Sequence, residues 1–349
     1  EISFLFTTRA GGYMIGSFFG GWLYDRLRGH PVMAGGLLLM GLGMFLTPLL
    51  PSLWPLAAVL LVVGLAEGAV DVGGNTLLPW IHRSKVGPYM NALHFTFGVG
   101  AFLAPLVIAF AVQQTGGIRW GYWLLALYVV PVLLWLAREP SPLTEVQQDQ
   151  GRSTGVNWRL VSLMAFFMFL YAGAEIGFGG WVYTYAFSTG LVDSTVAFYV
   201  TSTFWGALTL GRLAAIWIAA RVRPRTILIS DLMGGLLSLA LLLALPDSQW
   251  ALWVGVFGLG LSLASIFPTL ITWSERRTTV SGLVTSFFLI GSSVGAMTLP
   301  WLIGQLFEVY GPQVTLFAIL LDLLAASGVF VALMAYGGPP KPELIVHEV

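Results

Sequence analysis

The sequence predicts an all-α membrane protein, a fold class supported by its composition, the length of its apolar stretches and the placement of its charges. Only 9% of the 349 residues are charged and 57% are hydrophobic, whereas a soluble domain carries about 25% charged residues. A soluble fold this apolar would have too few polar side chains for its surface. The zero formal net charge leaves no basic stripe for a phosphate backbone, so we expect no nucleic-acid partner. The absence of cysteine excludes a disulfide framework and a thiolate zinc site.

The chain consists mainly of apolar stretches of roughly 20 residues, each ended by a short polar or Gly/Pro-rich turn. A helix of that length crosses the roughly 30 Å hydrocarbon core of a bilayer. We therefore predict a transmembrane helix in each stretch. The eleven stretches are 4–24, 31–50, 54–80, 89–112, 119–137, 158–188, 193–220, 225–246, 250–273, 279–307 and 313–336.

One long polar segment, 138–157, is predicted to be a cytoplasmic linker. It divides the chain into an N-terminal bundle of five helices at 1–137 and a C-terminal bundle of six helices with a short cytoplasmic tail at 158–349. Thirteen of the 16 Lys and Arg residues fall on alternate connections, and the positive-inside rule makes that side cytoplasmic. We expect the C-terminus inside and the N-terminus outside a plasma (inner) membrane.

The two halves of the sequence match each other at an offset of 193 residues, which indicates a duplicated unit. Both copies run in the same direction, so the repeat is parallel. The span at 158–188 has no counterpart in the first half. We therefore expect a twelve-span protein whose first transmembrane helix is missing from this chain, with a natural eleven-span protein as the alternative. The matching pairs are Arg28 and Arg221, Pro31 and Pro224, Trp80 and Trp273, Arg83 and Arg276, and Gly98 and Gly291.

The connection after the first span, GWLYDRLRGH, contains Gly21, Asp25, Arg26 and Arg28. The glycine permits close helix contact, the aspartate can face a helix N-terminus, and the arginines anchor the loop at the cytoplasmic interface. This segment resembles the loop signature of the major facilitator superfamily, G-x-L-x-D-R-x-G-R-[KR], although its ending departs from the family pattern. The resemblance implies the major facilitator fold, with two parallel, pseudo-symmetric helix bundles and eleven of an expected twelve transmembrane helices.

Two further motifs, Asp71-Val-Gly-Gly-Asn75 and Gly173-Ala-Glu175, are similar to the fucose-permease and sodium-dependent glucose transporter branch of that superfamily. The resemblance implies a secondary active transporter that moves a small polar solute, most simply a hexose, by alternating access and with coupling to H⁺ or Na⁺. It implies no enzyme activity and no cofactor. The expected partners are the small-molecule substrate and the lipid bilayer, with the chain acting as a monomer.

Two alternative functions stay open on the sequence. An exporter of drugs or lipid-like amphiphiles would use the same fold with a mostly apolar cavity, whereas a sugar cavity needs more polar groups. An intramembrane enzyme is the more remote alternative. It would need a nucleophile and a base side by side, but the nearest pair of acids, Glu67 and Asp71, lies on one helix without a Ser or His partner.

Five acids fall inside predicted spans, away from the span ends, where an ionisable group costs at least about 2.5 kcal/mol and marks a pathway or a paired site. Glu67, Asp71 and Asn75 follow each other at four-residue intervals and therefore share one helix face. The rise per residue places Asp71 about 13 Å from Trp80 at the cytoplasmic helix end. The resemblance implies that an acid at this position takes part in binding the sugar and the coupling cation. The alternative is a structural group that is hydrogen-bonded to neighbouring helices.

Glu175 is surrounded by glycines at 173, 177, 179 and 180, and such Gly-interrupted spans favour a midplane binding site. Trp181 and Tyr185 follow at helical spacing, so their rings share one face. Aromatic planes combined with a carboxylate suit a sugar, and we interpret all three residues as candidate substrate contacts. The alternative for the two aromatic residues is the interfacial belt of Trp and Tyr.

The remaining polar residues of the spans give weaker indications. His94 can titrate near neutral pH, or it can serve as a hydrogen-bonded packing group. Arg212 and Asp231 lie at comparable depth on consecutive helices, which predicts a structural or gating ion pair between them. Asp322 has no predicted partner. Hydroxyl groups on the helix equivalent to that of Asp71 are further candidate contacts, namely Ser265, Thr269 and Thr272. No spacing in the sequence predicts a metal site.

Overall fold

The computed structural model describes residues 2–142, 156–278 and 280–337. In these ranges the chain forms long α-helices joined by short turns, with 3₁₀ helices at Thr47–Leu49 and Arg83–Lys85. The α-helices are α1 Ile2–Arg26, α2 Gly29–Leu46, α3 Leu53–His82, α4 Gly87–Thr115, α5 Arg119–Leu136, α6 Trp158–Ser188, α7 Ser194–Ala219, α8 Pro224–Ala244, α9 Gln249–Leu263, α10 Ile266–Glu275, α11 Gly282–Tyr310 and α12 Gln313–Tyr336.

Every predicted span coincides with helical structure, so the all-α fold class is confirmed. One span differs in detail, because the stretch predicted as a single helix at 250–273 consists of α9 and α10, with a break at Ala264 and Ser265. Eight helical stretches among the described residues are long and apolar enough to cross a membrane by length and composition alone.

The helix order of the first half recurs in the second half. α1 to α5 correspond in order to α7 to α12, with α9 and α10 together taking the place of α3. α4 and α11 are each 29 residues long and begin at Gly87 and Gly282. α6 has no counterpart among α1 to α5. Residues 143–155 of the predicted linker lie outside the described residues, and the bundle boundaries at 137 and 158 stay a prediction.

Helix contacts group the chain into two compact units. The first unit comprises Glu1–Arg83, Thr96–Gly155 and Thr279–Ile290. In this unit α3 packs against both α1 and α2, and α2 also packs against α5. The Nε1 of Trp80, near the end of α3, donates to the carbonyl of Val280 at 2.7 Å. α3 is therefore the central helix of the first unit.

Glycines bring α1 and α3 into backbone contact. A Cβ added at Gly16 would lie 1.9 Å from the carbonyl oxygen of Leu65, and one added at Gly68 would lie 2.2 Å from that of Tyr13. Small residues at four-residue intervals are the usual basis of close helix packing in lipid, where helices gain little from the hydrophobic effect. This crossing places the α1 side chains directly beside the polar stripe of α3.

The second unit comprises Ser84–Phe95, Val156–Thr278 and Gly291–Val349. In this unit α6 packs against α7 and α12, and α9 packs against α7 and α8. The ring of Phe167 on α6 lies 6.2 Å from that of Phe330 on α12, and the ring of Phe178 lies 5.2 Å from that of Phe204 on α7. α6, which carries Glu175, is therefore packed on several sides by other helices of its own unit.

Candidate functional site

The first polar cluster lies in the first unit at the α1–α3 crossing. The Tyr13 hydroxyl donates to Oδ2 of Asp71, and the Asn75 amide donates to Oδ1 of Asp71 at 2.9 Å. Asn75 is fully buried, and its Oδ1 has no hydrogen-bond partner in the described part of the chain. Both oxygens of the Asp71 carboxylate thus accept a hydrogen bond, which offsets part of the cost of placing a charge inside the membrane.

Glu67 lies one helical turn before Asp71 on the same face of α3, as its spacing predicts. Arg9 of α1 donates to it twice, from Nε to Oε2 at 3.0 Å and from Nη2 to Oε1 at 2.7 Å. The planar guanidinium matches the carboxylate at both oxygens. The pair is more accessible than the neighbouring cluster, because the Arg9 side chain is 46% exposed and that of Glu67 is 28% exposed. Glu67 is therefore already charge-paired within its own unit.

The second polar cluster lies in the second unit and centres on Glu175. The Tyr171 hydroxyl, one turn earlier on α6, donates to Oε2 of Glu175. Arg212 of α7 donates from Nη2 to Oε1 of Glu175 at 3.0 Å. Glu175 and Arg212 are buried, and Nε of Arg212 has no hydrogen-bond partner among the described residues. The cluster thus combines a neutralised ion pair with one donor group that is free to bind an oxygen atom.

His94 lies near this second cluster. Its ring centroid is 4.8 Å from that of Phe267, and Phe267 in turn lies 6.4 Å from Tyr171. His94 is close enough to Arg212 for electrostatic interaction, and its Nε2 is buried without a hydrogen-bond partner in the part of the chain that is described. The structure therefore places the predicted His94 beside the Glu175 cluster.

Trp181 and Tyr185 make different contacts although they are four residues apart on α6. The Nε1 of Trp181 donates to the carbonyl of Pro300 at 2.9 Å, and its ring lies 5.0 Å from that of Phe307 on α11. Tyr185 is buried and lies near Gln313, the first residue of α12. Although both rings lie on the same face of α6, Trp181 therefore contacts α11, whereas Tyr185 lies near α12.

The predicted ion pair between Arg212 and Asp231 is wrong. Arg212 pairs with Glu175 instead, and Asp231 of α8 accepts a hydrogen bond from the Ser265 hydroxyl at 2.5 Å. Helix rise gave the depth of the two side chains along their helices, but depth alone does not decide which neighbour each helix face meets.

In the loop signature, the aspartate faces a helix N-terminus and the glycine allows close helix contact, as their chemistry predicts. Asp25 accepts hydrogen bonds from the backbone N–H groups of Gly282 at 2.6 Å and Leu283 at 3.0 Å, so its carboxylate caps the N-terminus of α11. A Cβ added at Gly21 would lie 2.3 Å from the Gly282 carbonyl oxygen, which explains the glycine. The guanidinium of Arg26 stacks 4.3 Å from the centre of the Trp22 ring.

The exposed Arg28 immediately precedes α2 as its N-cap residue and makes no side-chain cap hydrogen bond. Of the loop signature, the Asp25 cap and the close approach at Gly21 hold α11 to the end of α1. The carboxylate of this loop therefore serves helix packing within the first unit.

Sequence reasoning missed three residues that complete the two clusters. Tyr171 lies four residues before Glu175, and this helical spacing is a signal that could have been used. Tyr13 and Arg9 stand 58 positions from their α3 partners, and no local pattern connects them. Their contacts arise from the glycine crossing of α1 and α3.

Comparison of the sequence with known proteins gives consistent matches. The model of the Major Facilitator Superfamily matches residues 1–296. Sodium-dependent glucose transporter 1 of Xenopus laevis is 29% identical over 336 residues, which cover 88% of this chain and 68% of that protein. The human protein of the same name is 29% identical over 350 residues, covering 88% of this chain and 66% of that protein. The chain thus spans about two thirds of the length of these relatives.

Comparison with solved structures gives two similar sugar symporters. The E. coli fucose:proton symporter FucP matches with a TM-score of 0.78 at 15% identity, covering 95% of this chain and 90% of that chain. The proton:xylose symporter XylE matches with a TM-score of 0.75 at 13% identity, covering 96% of this chain and 86% of that chain. At these identities the similarity defines the fold alone.

Proposed function

The chain belongs to the Major Facilitator Superfamily, so it is a multi-pass membrane transporter rather than an enzyme, and we propose that it moves a hexose or a similar sugar by secondary active transport. Transport of this kind uses alternating access and an ion gradient instead of a nucleotide. Two relatives that each match 88% of this chain are named sodium-dependent glucose transporter 1. We further propose that the protein works as a monomer in the plasma membrane with its C-terminus in the cytoplasm.

The observation that carries this proposal is the Tyr13–Asp71–Asn75 cluster. An acid inside a span is expensive and is retained where it serves transport or pairing. Among the described residues no Lys, Arg or His forms an ion pair with Asp71, and its hydrogen-bond donors are a hydroxyl and an amide. A proton or a sodium ion can therefore neutralise Asp71 reversibly, whereas Glu67 is already neutralised by Arg9.

The physical consequence of neutralising Asp71 is a change in its hydrogen bonds. The ionised carboxylate accepts from Tyr13 and Asn75, but a protonated carboxyl is itself a donor at one oxygen and a weaker acceptor. Because Asn75 Oδ1 has no hydrogen-bond partner within the described ranges, the Asn75 amide can reorient so that this oxygen accepts from the protonated carboxyl. Tyr13 belongs to α1, so a change at Asp71 alters the contact between α1 and α3. Ion binding at Asp71 can therefore change how α1 packs against α3.

In the second unit we propose that the Glu175 cluster contacts the sugar. Nε of Arg212 and Nε2 of His94 are buried polar atoms without a hydrogen-bond partner among the residues that the structure describes, and buried polar groups are costly unless a ligand or water satisfies them. Sugar hydroxyl groups both donate and accept hydrogen bonds, so they suit these atoms. An apolar drug or lipid-like substrate would leave both unsatisfied, which favours the sugar over the exporter alternative.

The test is sugar uptake by the full-length protein carrying Asp71→Asn. We expect the variant to insert and to exchange sugar across the membrane, because amide and carboxylate are nearly the same size. It should not accumulate sugar against an imposed pH or Na⁺ gradient, because an amide neither takes up a proton nor carries a negative charge. Glucose and fucose uptake into vesicles, with and without each gradient, is the measurement.

Asp322→Asn is the matched control, since it makes the same chemical change at another buried acid that belongs to neither cluster. It should accumulate sugar as the parent does. If Asp71→Asn also concentrates sugar as well as the parent, Asp71 is structural and the coupling group must be sought at Glu67 or Glu175. Transport of an amphiphilic drug with no transport of hexoses would favour the exporter.

A further inference from the structure

The break between α9 and α10 interrupts a membrane span in the second unit at a polar site. α9 ends at Leu263 and α10 begins at Ile266, and Ser265 between them adopts φ −105° and ψ −1°. Discontinuous transmembrane helices are where transporters present backbone carbonyls and helix ends to small cations, because irregular backbone inside a membrane is otherwise unsatisfied. Neither the Asp71 cluster nor the Glu175 cluster includes this break.

A carboxylate from a neighbouring helix reaches the break. The Ser265 hydroxyl donates to Oδ2 of Asp231 on α8 at 2.5 Å. In the described part of the chain, the Ser265 hydroxyl is the hydrogen-bond donor to the Asp231 side chain. No Lys, Arg or His in that part forms an ion pair with Asp231. Asp231 therefore places an uncompensated carboxylate inside the membrane, beside a helix end. An unpaired carboxylate inside the membrane is costly, so binding of a cation or a proton stabilises it.

Two further oxygen atoms belong to the same turn of chain. Pro268 has no N–H, so the carbonyl of Ala264 lacks the donor that a continuous helix would supply four residues later. Thr269 follows Ser265 by one helical turn, and its N–H bonds to the Ser265 carbonyl at 3.0 Å. Thr269 is 2% exposed, yet its Oγ1 has no hydrogen-bond partner among the described residues. A buried hydroxyl without a partner marks a position where a ligand can bind.

We propose that this break is a sodium-binding site, formed by the Asp231 carboxylate, the Ser265 and Thr269 hydroxyls and the Ala264 carbonyl. All four groups offer oxygen, the ligand atom that hard cations such as Na⁺ prefer. One carboxylate matches the single positive charge, so the occupied site is neutral within the membrane. A role for this ion in driving sugar movement rests on the proposed function, whereas the binding itself does not.

The internal repeat gives independent support. At the offset of 193, Ala264 corresponds to Asp71 and Pro268 corresponds to Asn75. At this position the first half has an acid and an amide on the continuous helix α3. In the second half the helix is broken at the same position, and the acid comes from the neighbouring helix α8. Both halves place one carboxylate at this point of the repeat, by two different structural solutions.

The experiment measures the thermal stability of the purified full-length protein in detergent, titrated with NaCl and, separately, with KCl and choline chloride at equal ionic strength. A ligand that binds only the folded state raises its melting temperature, and above the Kd this rise grows with the logarithm of the ligand concentration. We expect Na⁺ to raise the Tm of the parent above that seen with K⁺ or choline. Asp231→Asn should weaken the apparent Na⁺ affinity by about 100-fold or more, and Thr269→Val, which keeps the side-chain shape, by about tenfold.

Asp322→Asn is the control and should retain the parent's Na⁺ response, since Asp322 belongs to neither polar cluster nor to the break. A parent that responds equally to Na⁺, K⁺ and choline would overturn the proposal, and so would an unchanged Na⁺ response in Asp231→Asn. If Asp231→Asn does not fold, Thr269→Val decides the question in the same way. Loss of the Na⁺ response in Asp71→Asn alone would assign the ion to the first unit instead. Sugar is absent from this assay, so a failure of the proposed sugar transport does not affect its outcome.

Discussion

At the scale of single residues, the Glu175–Arg212 pair shows how strongly a buried charge depends on its partner. Each residue is only 8% exposed, and the Tyr171 hydroxyl satisfies the second carboxylate oxygen. Removing one member of a buried ion pair typically costs about 3–5 kcal/mol, because the other charge stays buried without compensation. Replacing both members by neutral groups of similar size costs far less.

This predicts that Arg212→Gln lowers the Tm of the protein in detergent markedly, and that adding Glu175→Gln to the same chain restores much of the loss. The restored protein should still fail to bind sugar, because the free donor of Arg212 is gone. Thermal unfolding of the parent, the two single variants and the double variant provides the measurement as a double-mutant cycle. Equal and additive losses from the two single changes would show that the residues do not depend on each other.

At the scale of the helix, the α1–α3 crossing is what assembles the first polar cluster. Tyr13 and Arg9 reach Asp71 and Glu67 only because glycines allow the two backbones to touch. A methyl group at Gly68 would meet the backbone carbonyl of Tyr13 at 2.2 Å. Backbone cannot be moved aside as a flexible side chain can, so the helices must separate.

We therefore predict that Gly68→Ala destabilises the protein by about 1–3 kcal/mol and reduces ion-coupled uptake. Gly35→Ala on α2 is the matched control, since no neighbouring atom of the described residues lies within 4 Å of its added methyl group, and alanine favours a helix over glycine. It should keep the parent's Tm or exceed it slightly. Thermal unfolding and sugar uptake of the two variants test this. Equal behaviour of both would mean that the crossing tolerates an extra methyl group.

At the scale of the whole molecule, the arrangement of charges predicts the orientation in the membrane. The arginines at 221, 223 and 225 lie at the start of α8, whereas the turn after α8 carries none. Lys and Arg are retained on the cytoplasmic side during insertion. The chain has no native cysteine, so a single introduced cysteine reports its own position without interference.

We predict that a membrane-impermeant maleimide added to intact cells labels Asp247→Cys but not Val222→Cys. These exposed positions lie in the turns at opposite ends of α8, so each serves as the control of the other. After lysis both should react. The opposite labelling pattern would invert the proposed topology and place the C-terminus outside.

The sequence by itself determined the fold class, the helical spans of the described residues apart from the break at Ala264 and Ser265, and the loop signature, because apolar length, charge bias and turn residues act over short distances along the chain. The four-residue intervals of Glu67, Asp71 and Asn75 likewise defined one helix face. Only the tertiary structure decided which polar groups meet: Arg212 with Glu175 rather than Asp231, Asp231 with Ser265, and Tyr13 with Asp71. The physical reason is that helix rise fixes a residue's depth, whereas its partner depends on how each helix is rotated and how closely its neighbours pack.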